Sequence, residues 1–161
     1  PGACAGWLAW IRREVLALRG RAARFDRQLE SAALLLGAEP ELHSIFQNLI
    51  TNAVKYTPSA GTVSVRYWTD GLGGHVAVAD TGIGIPAAHI PRLTERFYRV
   101  DAGRSRKLGG SGLGLAIVKH ALQRHGAQLE ITSEEGKGST FTCHFPPARV
   151  QQRESPAAGV A

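Results

Sequence analysis

The sequence predicts an α+β fold, in which one mixed, mainly antiparallel β-sheet carries about three helices on one face as a two-layer sandwich. Segments with helical periodicity alternate with pairs of short β-like segments, rather than with single strands as in a βαβ repeat. Turn-forming glycines, such as those of Asp70-Gly71 and Gly73-Gly74, separate paired segments. The 161 residues are 43% hydrophobic, which is enough to bury the core of one domain.

The helices follow from apolar periodicity and from their end signals. The predicted helices are residues 6–21, 40–57, 87–96 and 112–125. Pro40 and Glu41 are typical of a first helical turn, and Pro58 disfavours helix at the residue before it. Gly126 fits the position just after the last helix. In that helix the inward residues are predicted to be Leu113, Ala116, Ile117, Ala121 and Leu122.

The strands are short and come in pairs. Two are predicted within residues 25–36, and the others are residues 62–68, 76–79, 128–133 and 139–145. Val63, Val65 and Tyr67 alternate and should share one face of the sheet. The charged segment between residues 99 and 110 is bounded by glycines and should be a mobile loop. We expect a domain over residues 6–147 and a disordered tail over residues 148–161.

Composition narrows the class of protein. The net charge is +6, which indicates anionic partners such as nucleotide phosphates, and many of the cations lie in residues 92–107. Since that segment explains much of the charge, we expect no nucleic acid partner. Two cysteines without metal-ligand spacing indicate neither a disulfide scaffold nor zinc. With no signal peptide and no apolar run that could span a bilayer, we expect a cytoplasmic domain whose membrane anchor, if any, lies outside this chain.

The first chemical cluster is the segment Asn48–Thr57. Asn48, Asn52 and Lys55 share one face of the predicted helix because spacings of three and four residues stack. An amide oxygen is a hard ligand suited to Mg²⁺, and a lysine can meet a phosphate as a point charge. The alternative is an ordinary solvated helix face.

Three glycine-containing clusters follow along the chain. In Asp80–Gly84 a carboxylate at a strand end could accept a hydrogen bond from an exocyclic amine, although the segment could also be a plain turn. Gly109–Leu115 opens a helix and could offer bare amides to an anion, or could be a flexible linker. Gly136–Thr140 lies between two strands and could be a simple hairpin turn. No P-loop or protein-kinase signature is present.

In order and spacing, these clusters resemble the N, G1, G2 and G3 boxes of histidine-kinase catalytic domains, which belong to the Bergerat-fold ATPases. Glu95–Arg99 resembles the F box of the same family. The resemblance extends from about Gly6 to Phe145, and the run of residues 90–101 is particularly similar to sensor kinases of the phosphate regulon. It implies the Bergerat sandwich with a mobile ATP lid, here residues 100–110.

The resemblance also implies roles for individual residues, with ATP and Mg²⁺ as cofactors. Asn52 would hold Mg²⁺, Asn48 would lie beside it on the metal or the phosphates, and Lys55 and Arg99 would contact phosphate. Asp80 would receive the adenine amino group. The full set implied to bind the nucleotide is Asn48, Asn52, Lys55, Tyr56, Asp80, Gly82, Gly84, Tyr98, Arg99, Gly110, Ser111, Gly112, Leu113, Gly114 and Thr140.

Two departures refine the implied function. ATP-hydrolysing relatives carry a glutamate base four residues before the metal asparagine, where this chain has Asn48, so transfer to a nucleophile other than water is expected. None of the six histidines lies in a motif that resembles the phospho-acceptor His-Glu-Leu-Arg-Thr-Pro. We therefore expect a dimerisation domain with the acceptor histidine, and a response regulator, as partners. The alternatives are a serine kinase resembling the anti-sigma factors and a nucleotide-binding module without transfer activity.

Overall fold

The computed structural model describes residues 24–58, 60–100 and 113–152, together with Arg13. Apart from Arg13, the predicted first helix lies outside the described residues. Most of the predicted lid and the last nine residues of the chain lie outside them too.

A five-stranded sheet forms one layer of the domain. Its strands are β1 (Arg24–Leu29), β3 (Thr62–Asp70), β4 (Gly73–Asp80), β5 (Gln128–Glu134) and β6 (Gly138–Phe145), in the spatial order β1-β3-β4-β6-β5. Strands β1 and β3 are parallel, and the other neighbours are antiparallel. The predicted mixed, mainly antiparallel sheet is therefore confirmed.

A small second sheet joins a segment before α1 to the segment that follows β6. It pairs β2 (Leu34–Leu35) with β7 (Val150–Gln151) in antiparallel fashion, after a 3₁₀ turn over Pro147–Arg149. The expected tail from residue 148 is therefore wrong in its first residues. Local sequence could not reveal this pairing, since it joins two residues to two others more than a hundred positions away.

Helix α1 (Glu39–Tyr56) forms where its end signals predict. Proline lies in its first turn between Glu39 and Glu41, and acidic side chains there complement the positive end of the helix dipole. The helix ends at Thr57, which is extended as expected of a residue before proline. Its buried residues are Leu42, Ile45, Phe46, Leu49, Ile50 and Ala53, as the periodicity predicts.

Helix α2 (Gly114–Arg124) packs beside α1 with a buried face that differs in part from the prediction. Its buried residues are Ala116, Val118, Ala121 and Leu122, whereas Ile117 is 44% exposed. Apolar residues are so frequent between residues 113 and 122 that periodicity alone could not choose between Ile117 and Val118. Gly126 has φ of +66°, which confirms its position after the helix.

Both helices cover one face of the sheet. Core residues of α1 and α2 form a single cluster with Val63, Val65 and Tyr67 of β3, and with Phe141 of β6. Burying one such side chain stabilises a fold by roughly 1.5–3 kcal/mol, so this cluster is the main source of stability. Within the described residues, no helix is long and apolar enough to cross a membrane.

The opposite face carries a chain of polar contacts. The Nε2 of His75 lies 2.8 Å from a carboxylate oxygen of Asp70, and the Nε2 of His144 lies 2.7 Å from one of Glu130. The two Nδ1 atoms lie 2.7 Å apart. These histidines are therefore structural members of the sheet, in agreement with the absence of an acceptor motif around them.

The segment after Pro86 is shorter and tighter than the predicted helix over residues 87–96. It is a 3₁₀ helix, Ala87–Arg92, with Pro91 inside it. Proline has no N–H to donate to a helical hydrogen bond, and its ring clashes with the preceding turn of an α-helix. Phe97, shortly afterwards, has φ of +64° and an exposed side chain.

Candidate nucleotide site

The polar face of α1 lies at the centre of the candidate site. Asn48, Asn52 and Lys55 are half-buried, between residues of the buried face. The Asn48 side-chain nitrogen donates to the Ser44 carbonyl at 2.7 Å. Because this contact fixes which end of the amide is the nitrogen, Oδ1 is left pointing away from Ser44, available to a cation.

Gly114, the first residue of α2, allows this helix to approach the side-chain amide of Asn48 closely. A Cβ placed on Gly114 would lie 2.9 Å from Asn48 Oδ1, which is closer than side chains tolerate. The start of α2 thus approaches the N box (residues 48–57) through a position where only glycine fits without a shift. Leu113 caps the helix without a side-chain hydrogen bond, so the first backbone amides of α2 are free of a side-chain cap.

Asp80 ends β4 with a carboxylate held by backbone donors. Its Oδ1 accepts hydrogen bonds from the N–H groups of Gly82 at 2.9 Å and Ser139 at 3.3 Å. Burial raises the pKa of Asp80, because the ionised form loses hydration, and the two backbone donors oppose that rise. With Oδ1 occupied, the other oxygen is left to accept from a ligand.

The G1 box (residues 80–84) packs on the end of α1. The N–H of Ile83 donates to the Tyr56 carbonyl at 3.3 Å, and a Cβ on Gly82 would lie 2.3 Å from the same oxygen. Gly84 has φ of +69°, and a Cβ there would meet the backbone of Glu134. These glycines are thus required by contacts within the protein, because a side chain at either position would collide with backbone atoms.

The G3 box (residues 136–140) places Ser139, rather than Thr140, beside Asp80. Ser139 is buried and lies on the same face of β6 as the core residues Phe141 and Cys143, whereas Thr140 lies on the opposite face. Thr140, which the resemblance includes in the nucleotide-binding set, therefore lies on the face of the sheet opposite Asp80, whereas Ser139 pairs directly with Asp80. The alternation of Phe141, Cys143 and Phe145 was the sequence signal that could have identified Ser139.

Tyr98 is held by the 3₁₀ segment instead of by the other clusters. Its hydroxyl contacts the His89 ring, and the Arg92 guanidinium lies 4.5 Å from the centre of its ring. Arg99 is half-buried. Gly110, Ser111 and Gly112, which the resemblance includes in the nucleotide-binding set, lie outside the described residues.

Three contacts therefore join the clusters around the second half of α1. Gly114 meets Asn48, Gly82 meets Tyr56, and Ser139 meets Asp80. Among the described residues, no group of three or more histidine, cysteine, aspartate or glutamate side chains could hold a metal ion. A cation here would be bound by amide oxygens and by the ligand's own phosphates, which suits Mg²⁺.

Fold and site define a nucleotide-binding ATPase domain. The chain belongs to the family of histidine kinase-, DNA gyrase B-, and HSP90-like ATPases, whose family model matches residues 37–149. Within this family it resembles the sensor histidine kinases. It is 55% identical over 158 residues to the phosphate regulon sensor protein PhoR of Pseudomonas aeruginosa, covering 98% of this chain and 36% of that protein.

Solved structures agree with this assignment. The mycobacterial sensor histidine kinase MprB superposes with a TM-score of 0.78 at 28% identity, covering 91% of this chain and 97% of that one. Full-length ShkA, solved in complex with AMPPNP, superposes with a TM-score of 0.74 at 28% identity, covering 92% of this chain and 31% of that one. The chain spans about a third of the length of the PhoR relative.

Proposed function

We propose that this chain is the ATP–Mg²⁺-binding catalytic domain of a two-component sensor kinase of the PhoR type, which transfers the γ-phosphoryl group of ATP to a histidine on a dimerisation domain. The observation that supports this proposal most strongly is that residues of the N, G1, G2 and G3 boxes contact one another near the second half of α1. Separately, each cluster has an ordinary structural explanation. Together they surround one site with an amide oxygen, a lysine, a carboxylate and a helix N-terminus.

Each side of this site suits a different part of ATP. The free oxygen of Asp80 can accept from the adenine amino group, with Ser139 beside it. Asn52 would hold Mg²⁺ with Asn48 adjacent, and the ion would neutralise charge that develops on the phosphates. Lys55 and the first amides of α2 would bind phosphate oxygens, and Arg99 would reach them from the lid.

The asparagine at position 48 favours transfer of the γ-phosphoryl group to a side chain over hydrolysis of ATP by water. An uncharged amide cannot take a proton from water at neutral pH, and the amide nitrogen of Asn48 already donates a hydrogen bond to the Ser44 carbonyl. Because Asn48 cannot act as a base for water, phosphates bound here would need a nucleophile from another domain. A histidine on a dimerisation domain, in the same parent protein or in another chain, would be that nucleophile, and a response regulator would then receive the phosphoryl group in the cytoplasm.

Transfer in trans tests this proposal. The chain is mixed with separately produced dimerisation domains of the PhoR type and with ATP labelled at the γ position. The label should appear on the acceptor domain, be lost in acid and survive alkali, as expected of phosphohistidine. An acceptor His→Gln variant is the matched control and should take up no label. Acid-stable phosphoserine, or no labelled product with any acceptor, would refute the proposal.

A further inference from the structure

Two histidines lie directly opposite each other near one end of the pairing between β4 and β6, on the sheet face away from the helices. His75 and His144 are paired in register, and their Nδ1 atoms lie 2.7 Å apart. The Nε2 of His75 lies 2.8 Å from a carboxylate oxygen of Asp70, and the Nε2 of His144 lies 2.7 Å from one of Glu130. The four side chains therefore form three contacts in a row, and every ring nitrogen takes part in one.

Two neutral histidines cannot satisfy these three contacts. A neutral imidazole has one N–H, so the pair holds two protons, and an ionised carboxylate only accepts hydrogen bonds. The hydrogen bond from His75 holds the pKa of Asp70 below its usual range, which agrees with an ionised carboxylate that accepts from Nε2. When both Nε2 atoms donate to carboxylates, both Nδ1 atoms present lone pairs to each other. A contact of 2.7 Å between them then requires a cation, either a shared proton or a metal ion.

The distance between the two nitrogens distinguishes among metal ions. Metal–imidazole bonds are about 2.0 Å long, so two ligands at a right angle are about 2.8 Å apart and two at the tetrahedral angle are about 3.3 Å apart. The observed 2.7 Å matches neighbouring positions of a tetragonal site. Cu²⁺ and Ni²⁺ adopt that geometry with nitrogen and oxygen ligands, whereas Zn²⁺ prefers a tetrahedron.

The surroundings of the pair also favour a divalent cation. Asp70 and Glu130 contribute two negative charges, and a hydrogen bond from a ligating histidine to a carboxylate orients the ring and makes its other nitrogen a stronger ligand. The Trp68 ring stacks on His75 with the ring centres 5.1 Å apart, and the His75 side chain is only 5% exposed. The His144 side chain is 33% exposed, so an ion with bound water can reach the pair from that side.

We propose that the Nδ1 atoms of His75 and His144 form a binding site for a tetragonal divalent cation of the Cu²⁺ or Ni²⁺ class, with water completing the coordination. The site is separate from the nucleotide site, because the pairs formed by residues 76–79 of β4 lie between it and the pair of Asp80 with Ser139. An ion held by both histidines joins β4 to β6. Bound metal therefore stabilises the sheet without contacting ATP.

Titration with Cu²⁺ tests this site in nucleotide-free protein, since ATP itself chelates metal ions. The wild type should bind one equivalent of Cu²⁺, and its electron paramagnetic resonance spectrum should show coupling to two imidazole nitrogens. His144→Gln removes one ligand at a partly exposed position and should raise the Kd for Cu²⁺ by about tenfold or more. His120→Gln, which removes an exposed histidine of α2, is the matched control and should bind Cu²⁺ like the wild type.

Thermal melts with Ni²⁺, which does not oxidise thiols, give a second readout. With Ni²⁺ about 100-fold above its Kd, the melting temperatures of the wild type and of His120→Gln should rise by roughly 5–10 °C, and that of His144→Gln should not change. Equal Cu²⁺ affinity in His144→Gln, or coupling to a single nitrogen, would overturn the inference. Absence of Cu²⁺ binding by the wild type would show that the pair holds a shared proton only, and would overturn it too.

Discussion

Replacing Asp80 by asparagine tests the base-recognition part of the site most specifically. The Oδ1 atom already accepts two backbone N–H groups, from Gly82 and Ser139. In Asp80→Asn the amide oxygen keeps those two bonds, so the amide nitrogen replaces the carboxylate oxygen that faces the ligand. The variant then presents a donor to the adenine amino group, which is also a donor.

The expected loss of ATP affinity is large. A hydrogen bond to a charged group is worth about 1.5–3 kcal/mol, and an unpaired donor facing another donor costs about 1–3 kcal/mol. The combined loss of about 2.5–6 kcal/mol corresponds to a roughly 60- to 20,000-fold higher Kd for ATP. GTP binding should improve relative to ATP, because the O6 of guanine can accept from the new amide.

The same substitution should not destabilise the domain without nucleotide. Burial raises the pKa of Asp80, so its ionised form costs stability above the pKa of the unfolded chain, and the cost disappears as pH falls through the folded pKa. Asparagine removes this cost at neutral pH. The melting temperature of Asp80→Asn should therefore equal or exceed that of the wild type.

Calorimetry with ATP and GTP, together with thermal melts, checks both expectations. Asp26→Asn, which alters an aspartate on β1 away from the site, should bind ATP like the wild type. An Asp80→Asn variant that melts at the wild-type temperature and binds ATP with unchanged affinity would refute the role given to Asp80. A variant that melts at a much lower temperature would refute the account of its burial.

Three further predictions concern the rest of the domain. Gly114→Ala should displace the Asn48 side chain, whose Oδ1 lies 2.9 Å from the added Cβ, and should weaken Mg²⁺-dependent ATP binding with little change in melting temperature; unchanged binding would contradict the contact. The hydrogen bond from His75 holds the pKa of Asp70 below its usual range, so its contribution to stability is lost as pH falls through the folded pKa. Asp70→Asn should therefore lose less stability than the wild type below about pH 4, as measured by denaturant unfolding at a series of pH values. An equal loss of stability in both proteins would contradict this role of Asp70. Burial raises the pKa of Cys143 to about 12, so the native thiol should not react with iodoacetamide at neutral pH until the domain is unfolded, and rapid labelling of folded protein would disprove its burial.

Much of the fold could be predicted because strong local signals agreed with the tertiary structure. The alternation of Val63, Val65 and Tyr67 and the end signals of α1 at Pro40 and Pro58 all correspond to observed elements. The family resemblance is confirmed as well.

The errors arose where several sequence patterns competed or where contacts were distant. The predicted helix over residues 87–96 contains Pro91, whose missing N–H donor favours the observed 3₁₀ turn over an α-helix. Side chains alternate along a strand, so Ser139 and Thr140 lie on opposite faces of β6, and only Ser139 lies beside Asp80. The N–H of Ile85 donates a hydrogen bond to the Ser133 hydroxyl, 48 residues further along the chain. Because the donor is a backbone group, no pattern of residue types could have predicted this contact.

The dependence of ATP binding on Mg²⁺ tests the central claim most directly, because it requires the N box and the other clusters to act on one ligand. Calorimetry compares the wild type with Asn52→Ala, with either Mg²⁺ or a chelator present, and with Gln47→Ala on the exposed side of the same helix as the matched control. We expect Mg²⁺ to strengthen ATP binding by the wild type and by Gln47→Ala, and to have no effect on Asn52→Ala. Equal Mg²⁺ dependence in all three proteins would contradict the assignment of the site.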